Sequence, residues 1–154
     1  MKGKLKENKQ FSVLFADDDT DDTNTFLEAF GELNLDVDIH TVRNGRETLD
    51  YLDNSEPIPD ILFLDMNMPV MGGRECLVNI RQNERYKDLC ICMYSTATDE
   101  NDVEELLVSG ANVCIKKPHD FNVLKRILHK IITFNGHCQE PYLKRDFFML
   151  NLGV

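Results

Sequence analysis

The stretch Asp60-Ile61-Leu62-Phe63-Leu64-Asp65-Met66-Asn67-Met68-Pro69 decides the fold. Four consecutive apolar residues, bounded by Pro59-Asp60 and Met68-Pro69, are too short for a helix and suit a central parallel strand buried on both faces. The run stops at Asp65, so the strand delivers a carboxylate to a loop, where open α/β sheets bind their ligands. An Asp in this position also serves as a plain turn residue, and the segment alone leaves both readings open.

Working outward, Phe11-Ser12-Val13-Leu14-Phe15-Ala16 is a second short apolar run, and it too ends in acid, at Asp17-Asp18-Asp19. Thr20 to Leu35 then carries Phe26, Phe30 and Leu33 at helical spacing, with Asp21 and Asp22 near the positive end of the helix dipole. Val37 to Val42 is β-rich but polar, as an edge strand would be, with His40 exposed. Asn44-Gly45 breaks the chain, and Leu49 and Leu52 mark a short second helix that Pro57 and Pro59 stop. Gly72-Gly73 opens a third helix that buries Cys76, Leu77 and Ile80 and closes near Arg85. Leu89 to Tyr94 is a fourth strand, ending in Ser95-Thr96. Thr98 or Asp99 caps a fourth helix, Asp99 to Ser109, which Gly110 stops. Val113-Cys114-Ile115 is a fifth strand leading into Lys116-Lys117-Pro118. A fifth amphipathic helix follows, marked by Phe121, Leu124, Ile127, Leu128 and Ile131.

Strict alternation of five strands with five helices implies right-handed βαβ units and a doubly wound α/β sheet with helices on both faces. Domain organisation follows: a polar N-terminal extension over 1–10, one domain over 11–133, and a C-terminal extension over 134–154. In the last, Asn135-Gly136 is turn-like and Tyr142 to Leu150 is a candidate short helix.

Composition narrows the function. The 154 residues are 42% hydrophobic, enough for one full core, and 17 basic against 27 acidic residues give a formal charge of -10. That charge repels nucleic acid and anionic membrane. No apolar stretch approaches the roughly 20 residues of a membrane span, and Met1 to Gln10 lacks a signal-peptide apolar region, so a cytoplasmic location is expected. Cys76, Cys90, Cys92, Cys114 and Cys138 form an odd set without a C-x-x-C pair and read as reduced core residues.

In a parallel sheet every strand ends at the same edge, so Asp17, Asp18, Asp65, Ser95 and Lys117 converge across a hundred residues of sequence. Clustered carboxylates stay ionised at neutral pH only with a cation among them, and an all-oxygen site near water suits Mg²⁺. The Lys117 ammonium and the Ser95 hydroxyl would hold an anion above the sheet. Such a set is suited to attack by a carboxylate on phosphorus, with Asp65 as the nucleophile. Each piece has an ordinary alternative: a solvated helix start, a cap, a surface lysine.

The same residues resemble the receiver domain of two-component response regulators. The resemblance lies in an acidic pair after strand one (Asp17-Asp18), D-x-N-M-P after strand three, a hydroxyl after strand four (Ser95) and K-P after strand five (Lys117-Pro118), and it covers Phe11 to Thr133. Asn67-Met68-Pro69 and Gly73-Arg74-Glu75 are similar to stand-alone regulators that accompany bacteriophytochrome-type kinases. The resemblance implies a flavodoxin-like strand order 2-1-3-4-5 and a phosphoprotein that catalyses only its own aspartyl phosphorylation and dephosphorylation. Asp65 would accept phosphate from the phosphohistidine of a sensor histidine kinase or phosphotransfer protein. Asp18 and Asp65 would bind Mg²⁺ directly with the backbone carbonyl of Asn67, and Asp17 through water. Lys117 would contact the phosphoryl group, Ser95 would move toward it, and the Lys117-Pro118 peptide would be cis. The switching face would be the fourth helix, fifth strand and fifth helix.

Departures are expected to matter. Cys114 stands where the family usually has an aromatic switch residue, Gly72 replaces a frequent Asp, and Thr96 stands where Ala is common, so Thr96→Ala should change the lifetime of the phosphorylated form. Acidic Glu100, Asp102, Glu104 and Glu105 on the fourth helix and Lys125, Arg126 and Lys130 on the fifth would pair across a homodimer, with solvated charge as the alternative. With only 134–154 after the fold, output is expected through a partner, not through an attached DNA-binding domain.

Three rivals remain. Asp17, Asp19, Asp21 and Glu28 match positions of a calcium-binding EF-hand, but Asp22 stands where Gly is needed and a strand precedes the loop. A haloacid-dehalogenase-type phosphatase needs D-x-D-x-T, which Asp21 breaks. A receiver fold working purely as an interaction module, without phosphorylation, is the third.

Overall fold

The strands form because short β-rich apolar runs alternate with amphipathic segments whose ends carry their own caps. The computed structural model describes residues 10–96 and 100–133. Five strands run β1 Phe11–Ala16, β2 Val37–Val42, β3 Ile61–Leu64, β4 Cys90–Ser95 and β5 Val113–Lys116. All neighbours are parallel, in the order β2-β1-β3-β4-β5. The helices are α1 Thr20–Leu33, α2 Gly45–Asn54, α3 Gly73–Arg81, α4 Glu100–Val108 and α5 Phe121–Thr133, with a 3₁₀ turn at Glu84–Tyr86. The expected doubly wound sheet and strand order are what the structure has. Residues 1–9 of the N-terminal extension, the whole C-terminal extension 134–154 with the turn and helix expected in it, and the Thr98 or Asp99 cap lie outside the described residues.

Alternation along each strand sorts the core into two layers. Val13, Phe15, Ile61, Phe63, Cys92 and Tyr94 face α1 and α5, packing on Phe26, Phe30, Leu124 and Leu128. Leu14, Ala16, Leu62, Leu64, Ile91 and Met93 face α2, α3 and α4, packing on Leu52, Leu77, Ile80 and Leu106. As expected of an edge strand, β2 leaves Asp38, His40 and Thr41 exposed, and His40 stacks on Tyr51.

Capping explains the helix boundaries. Asp19 caps α1 by accepting from the Asp22 N–H, and α1 ends two residues short of Leu35 because Asn34 turns left-handed. Asn44 caps α2 through the Glu47 N–H. The third helix ends at Arg81, not near Arg85, because Asn83 restarts the chain as a 3₁₀ turn. Arg81 then spends its guanidinium on the carbonyls of Gly110, Tyr86 and Leu89 and on Asn112 Oδ1, at 2.7–2.8 Å.

Cys76, Cys92 and Cys114 are buried thiols, as expected. Burial pushes the Cys76 thiol up to about 12 and that of Cys92 well above its ordinary value, so neither is a ready nucleophile. Cys90 departs from the expected reduced set: it is disulfide-bonded. Among the described residues no helix is long and apolar enough to cross a membrane.

Candidate functional site

Every strand of the sheet points its C-terminal end at one edge, and the ladder itself sets the carboxylates there. Asp17 and Asp65 directly follow β1 and β3. The Asp17 N–H donates to Val42 O at 3.1 Å and the Asp65 N–H to Ala16 O at 3.0 Å, so each extends its strand's pairing by one step. Both side chains are consequently buried, whereas Asp18 is exposed. Asp17, Asp18 and Asp65 each bring a carboxylate oxygen within 4.8 Å of the others.

The loop after β3 is pinned from two sides. The Gly73 N–H donates to Met66 O at 2.9 Å, and a Cβ on Gly73 would sit 2.1 Å from the Asp65 carbonyl oxygen. The start of α3 therefore rests on the backbone that carries Asp65, and glycine is required for that approach. On the other side the Gly45 N–H donates to Met71 O at 2.8 Å. Between these ties Val70, 82% exposed, is held at φ 69°, a left-handed conformation that a β-branched residue rarely adopts. Asn67 and Thr96 are both exposed.

Lys117 enters from the end of β5. Its N–H donates to Ser95 O at 2.9 Å, which fixes the two strand ends together. Its ammonium lies 2.6 Å from Asp17 Oδ2 and 2.8 Å from Asp22 Oδ2, and 3.6 Å from Asp65 Oδ1. Beneath it is the ring of Tyr94, 5.4 Å from Nζ, itself set edge-on against Phe15 and Phe63. The Ser95 hydroxyl is buried, with no hydrogen-bond partner among the described residues.

Electrostatics follow from this crowding. Burial first, then the charge of Asp17, pushes the Asp65 carboxyl up to about 6, against the opposing pull of Lys117. Burial likewise raises Asp17, although Lys117 and the Asp19 N–H oppose it. Burial alone would lower the Lys117 ammonium, but the hydrogen bonds it donates to Asp17 and Asp22 more than reverse this and hold it above its ordinary value. The site is thus short of positive charge. Three carboxylates with all-oxygen donors, one of them exposed to water, fit Mg²⁺, which prefers hard oxygen ligands and retains waters.

The structure brings Asp17, Asp18, Asp65, Ser95 and Lys117 to one edge, with Thr96 and Asn67 in the adjoining loops. Asp22 is the site residue that the sequence does not reveal, since an acidic residue there also serves as a favourable charge at a helix start. No spacing in the sequence signals its pairing with Lys117, which lies 95 positions away. One expectation is corrected. The cis peptide among the described residues is Glu56–Pro57, and Lys117–Pro118 is not cis; nothing else in the structure explains the difference.

Comparison with known proteins agrees with this geometry. The chain is similar to the probable methanogenesis regulatory protein FilR2 of Methanothrix harundinacea, 28% identical over 131 residues, covering 82% of this chain and 84% of that one. Among solved structures it is similar to the phosphorylated cyanobacterial phytochrome response regulator RcpA (26% identity, TM-score 0.73, 81% of this chain and 93% of that chain). It is also similar to the Mn²⁺-bound form of response regulator Rcp1 (25% identity, TM-score 0.70, 80% and 92%), a Synechocystis protein. The model of the response regulator receiver domain matches residues 13–129, and the chain belongs to that family of two-component signalling.

Proposed function

We propose that the chain is a phosphoacceptor switch in which Asp65 receives a phosphoryl group from the phosphohistidine of a sensor histidine kinase or phosphotransfer protein. The observation that carries this reading is the buried Asp65 carboxylate 3.6 Å from the Lys117 ammonium, with a buried Ser95 hydroxyl at the end of the neighbouring strand that has no hydrogen-bond partner among the described residues. In the transfer, an Asp65 oxygen forms a bond to phosphorus while the phosphorus–nitrogen bond breaks. The electron pair leaves with the imidazole, which is protonated from solvent. Lys117 takes up negative charge on a phosphoryl oxygen, and Ser95 Oγ gains the partner it lacks by donating to another. Mg²⁺ would be held by Asp18, Asp65 and the Asn67 carbonyl, with Asp17 through water, and when bound supplies charge neutralisation of the transferring group. Water attacking phosphorus later returns Asp65 to its carboxylate, and Thr96, at the exposed mouth of the site, tunes access for that water.

The chain divides on this reading into an extension over 1–10, the receiver domain over 11–133 and an extension over 134–154; the elements described between Phe11 and Thr133 support it. It acts in the cytoplasm and is no enzyme toward other substrates. The α4-β5-α5 face carries the signal outward, to a partner or a second copy of the chain and not to nucleic acid. Part of the charge on that face is already engaged within the chain: Asp102 and Glu105 pair with Arg74, and Lys125 with Glu32. Cys114, buried on β5 in the core layer that holds α4, stands where the resembled family has a swinging ring, so repacking near Val103 and Leu106 would carry the change.

The test is intact mass after incubation with Mg²⁺ and acetyl phosphate. The expected result is a gain of one phosphoryl group that EDTA prevents and Asp65→Asn abolishes. A folded wild-type chain that gains no mass contradicts the reading and leaves the receiver fold as an interaction module.

A further inference from the structure

Lys117 reaches three carboxylates, and its distances to them are unequal. Asp17 and Asp22 are within hydrogen-bonding distance at 2.6 and 2.8 Å, while Asp65 at 3.6 Å is beyond it. The two engaged partners differ in what they would lose on release. The Asp17 side chain is fully buried, whereas that of Asp22 is 39% exposed.

We propose that Asp22 is a positioning residue that competes with the phosphoryl group for Lys117 and so restrains entry of phosphate at Asp65. The inference rests on the reading of Asp65 as phosphoacceptor. An ammonium has three N–H donors, and two are spent on Asp17 and Asp22 at short distance. The third is left for an oxygen attached to Asp65, but Nζ stands 3.6 Å from Asp65 Oδ1, and closing that gap draws it away from one of the two short contacts. Asp17 cannot be surrendered without stranding a buried carboxylate. Asp22 can, because water rehydrates its exposed oxygens as the ammonium leaves. Its backbone is fixed throughout by the N–H bond to Asp19 Oδ1 at 3.0 Å, so the competing carboxylate waits at a constant place beside the site.

The ordinary alternative is that Asp22 only complements the dipole of α1 and its contact with Lys117 is incidental. Asp21 occupies the same first turn and is exposed, so it shares any dipole role and serves as the control.

The experiment measures initial rates of phosphoryl uptake by the full chain from subsaturating acetyl phosphate with Mg²⁺, read by intact mass. Wild type, Asp22→Asn, Asp21→Asn, Lys117→Met and the Asp22→Asn/Lys117→Met pair are compared. The expected result is several-fold faster uptake for Asp22→Asn, an unchanged rate for Asp21→Asn, and no difference between the pair and Lys117→Met alone. The last comparison separates action through Lys117 from a structural effect of Asp22. An Asp22→Asn rate equal to or below wild type overturns the inference, as does an acceleration that persists without Lys117. Uptake by wild type with an unchanged Asp22→Asn rate overturns this inference alone, whereas no uptake by wild type overturns the functional reading and this one with it.

Discussion

A mostly buried cation stands at each end of the sheet, Arg81 at one and Lys117 at the other, and the two are used in opposite ways. At the N-terminal edge Arg81 bonds three carbonyls and the Asn112 amide oxygen, all at 2.7–2.8 Å. Every acceptor there is neutral, and burial is what lowers the Arg81 pKa. At the C-terminal edge Lys117 faces carboxylates that outnumber it, and Ser95 Oγ has no partner among the described residues. One end is a closed structural tie; at the other, negative charge exceeds positive, which suits the cation and phosphoryl group proposed for it. The difference teaches that the fold's stability and its chemistry are separable along the strand axis.

The sharpest way to break that comparison is to remove each cation in turn. Arg81→Ala leaves several carbonyls at the strand starts without donors, at roughly 1–3 kcal/mol for each that stays buried. The expected outcome is a loss of about 4 kcal/mol in urea unfolding, with phosphoryl uptake retained by the folded fraction. Lys117→Met is expected to do the reverse: the chain stays folded, because the carboxylates left behind take up a proton or Mg²⁺, while uptake from acetyl phosphate slows at least about a hundredfold. If both variants lost stability and activity together, the two ends would not be separable.

A smaller effect sharpens the same contrast through pH. The Asp65 carboxyl is raised in the folded chain to about 6 from 3.8, and Asp17 shifts the same way. The folded state therefore binds the proton more tightly than the unfolded state, so in EDTA stability should rise as pH falls from 7 through 6 toward 4. For Asp65 the gain is on the order of 3 kcal/mol. Thermal unfolding in EDTA should show this slope for wild type and a much flatter one for Asp65→Asn. Mg²⁺ should stabilise the protein at pH 7.5 and lose that effect near pH 5, where the proton competes with it.

How much of this was legible in the sequence follows from the same two ends. The acidic edge announced itself because each short apolar run stopped at a chemically distinctive residue, Asp17, Asp65, Ser95 or Lys117, and strict alternation forced those stops to one side. The Arg81 tie was not legible, since its acceptors are carbonyls and an amide, and backbone oxygens leave no mark on a sequence. Asp22 is visible as a residue but not as a partner of Lys117, because a contact spanning 95 positions depends on how the start of α1 meets the end of β5 in the folded chain. The end of α3 was misjudged by four residues for a related reason: Asn83 caps a 3₁₀ turn that the apolar spacing does not distinguish from more helix.

The smallest effect concerns the strained loop between the ends of β3 and α3. Val70 pays for a left-handed backbone with no buried side chain in return, so Val70→Gly is expected to stabilise the chain by about 1 kcal/mol in urea unfolding. A loss of stability would mean that the exposed Val70 side chain contributes packing that outweighs its strain.

The central claim is that Asp65 itself carries the phosphoryl group, and chemical trapping tests it most directly. Chain phosphorylated with acetyl phosphate and Mg²⁺ is reduced with sodium borohydride, which converts an aspartyl phosphate to homoserine, and the peptides are sequenced by mass. The account predicts homoserine at position 65 and aspartate at positions 17, 18 and 22. Homoserine at one of those other positions, with position 65 unmodified, would contradict it.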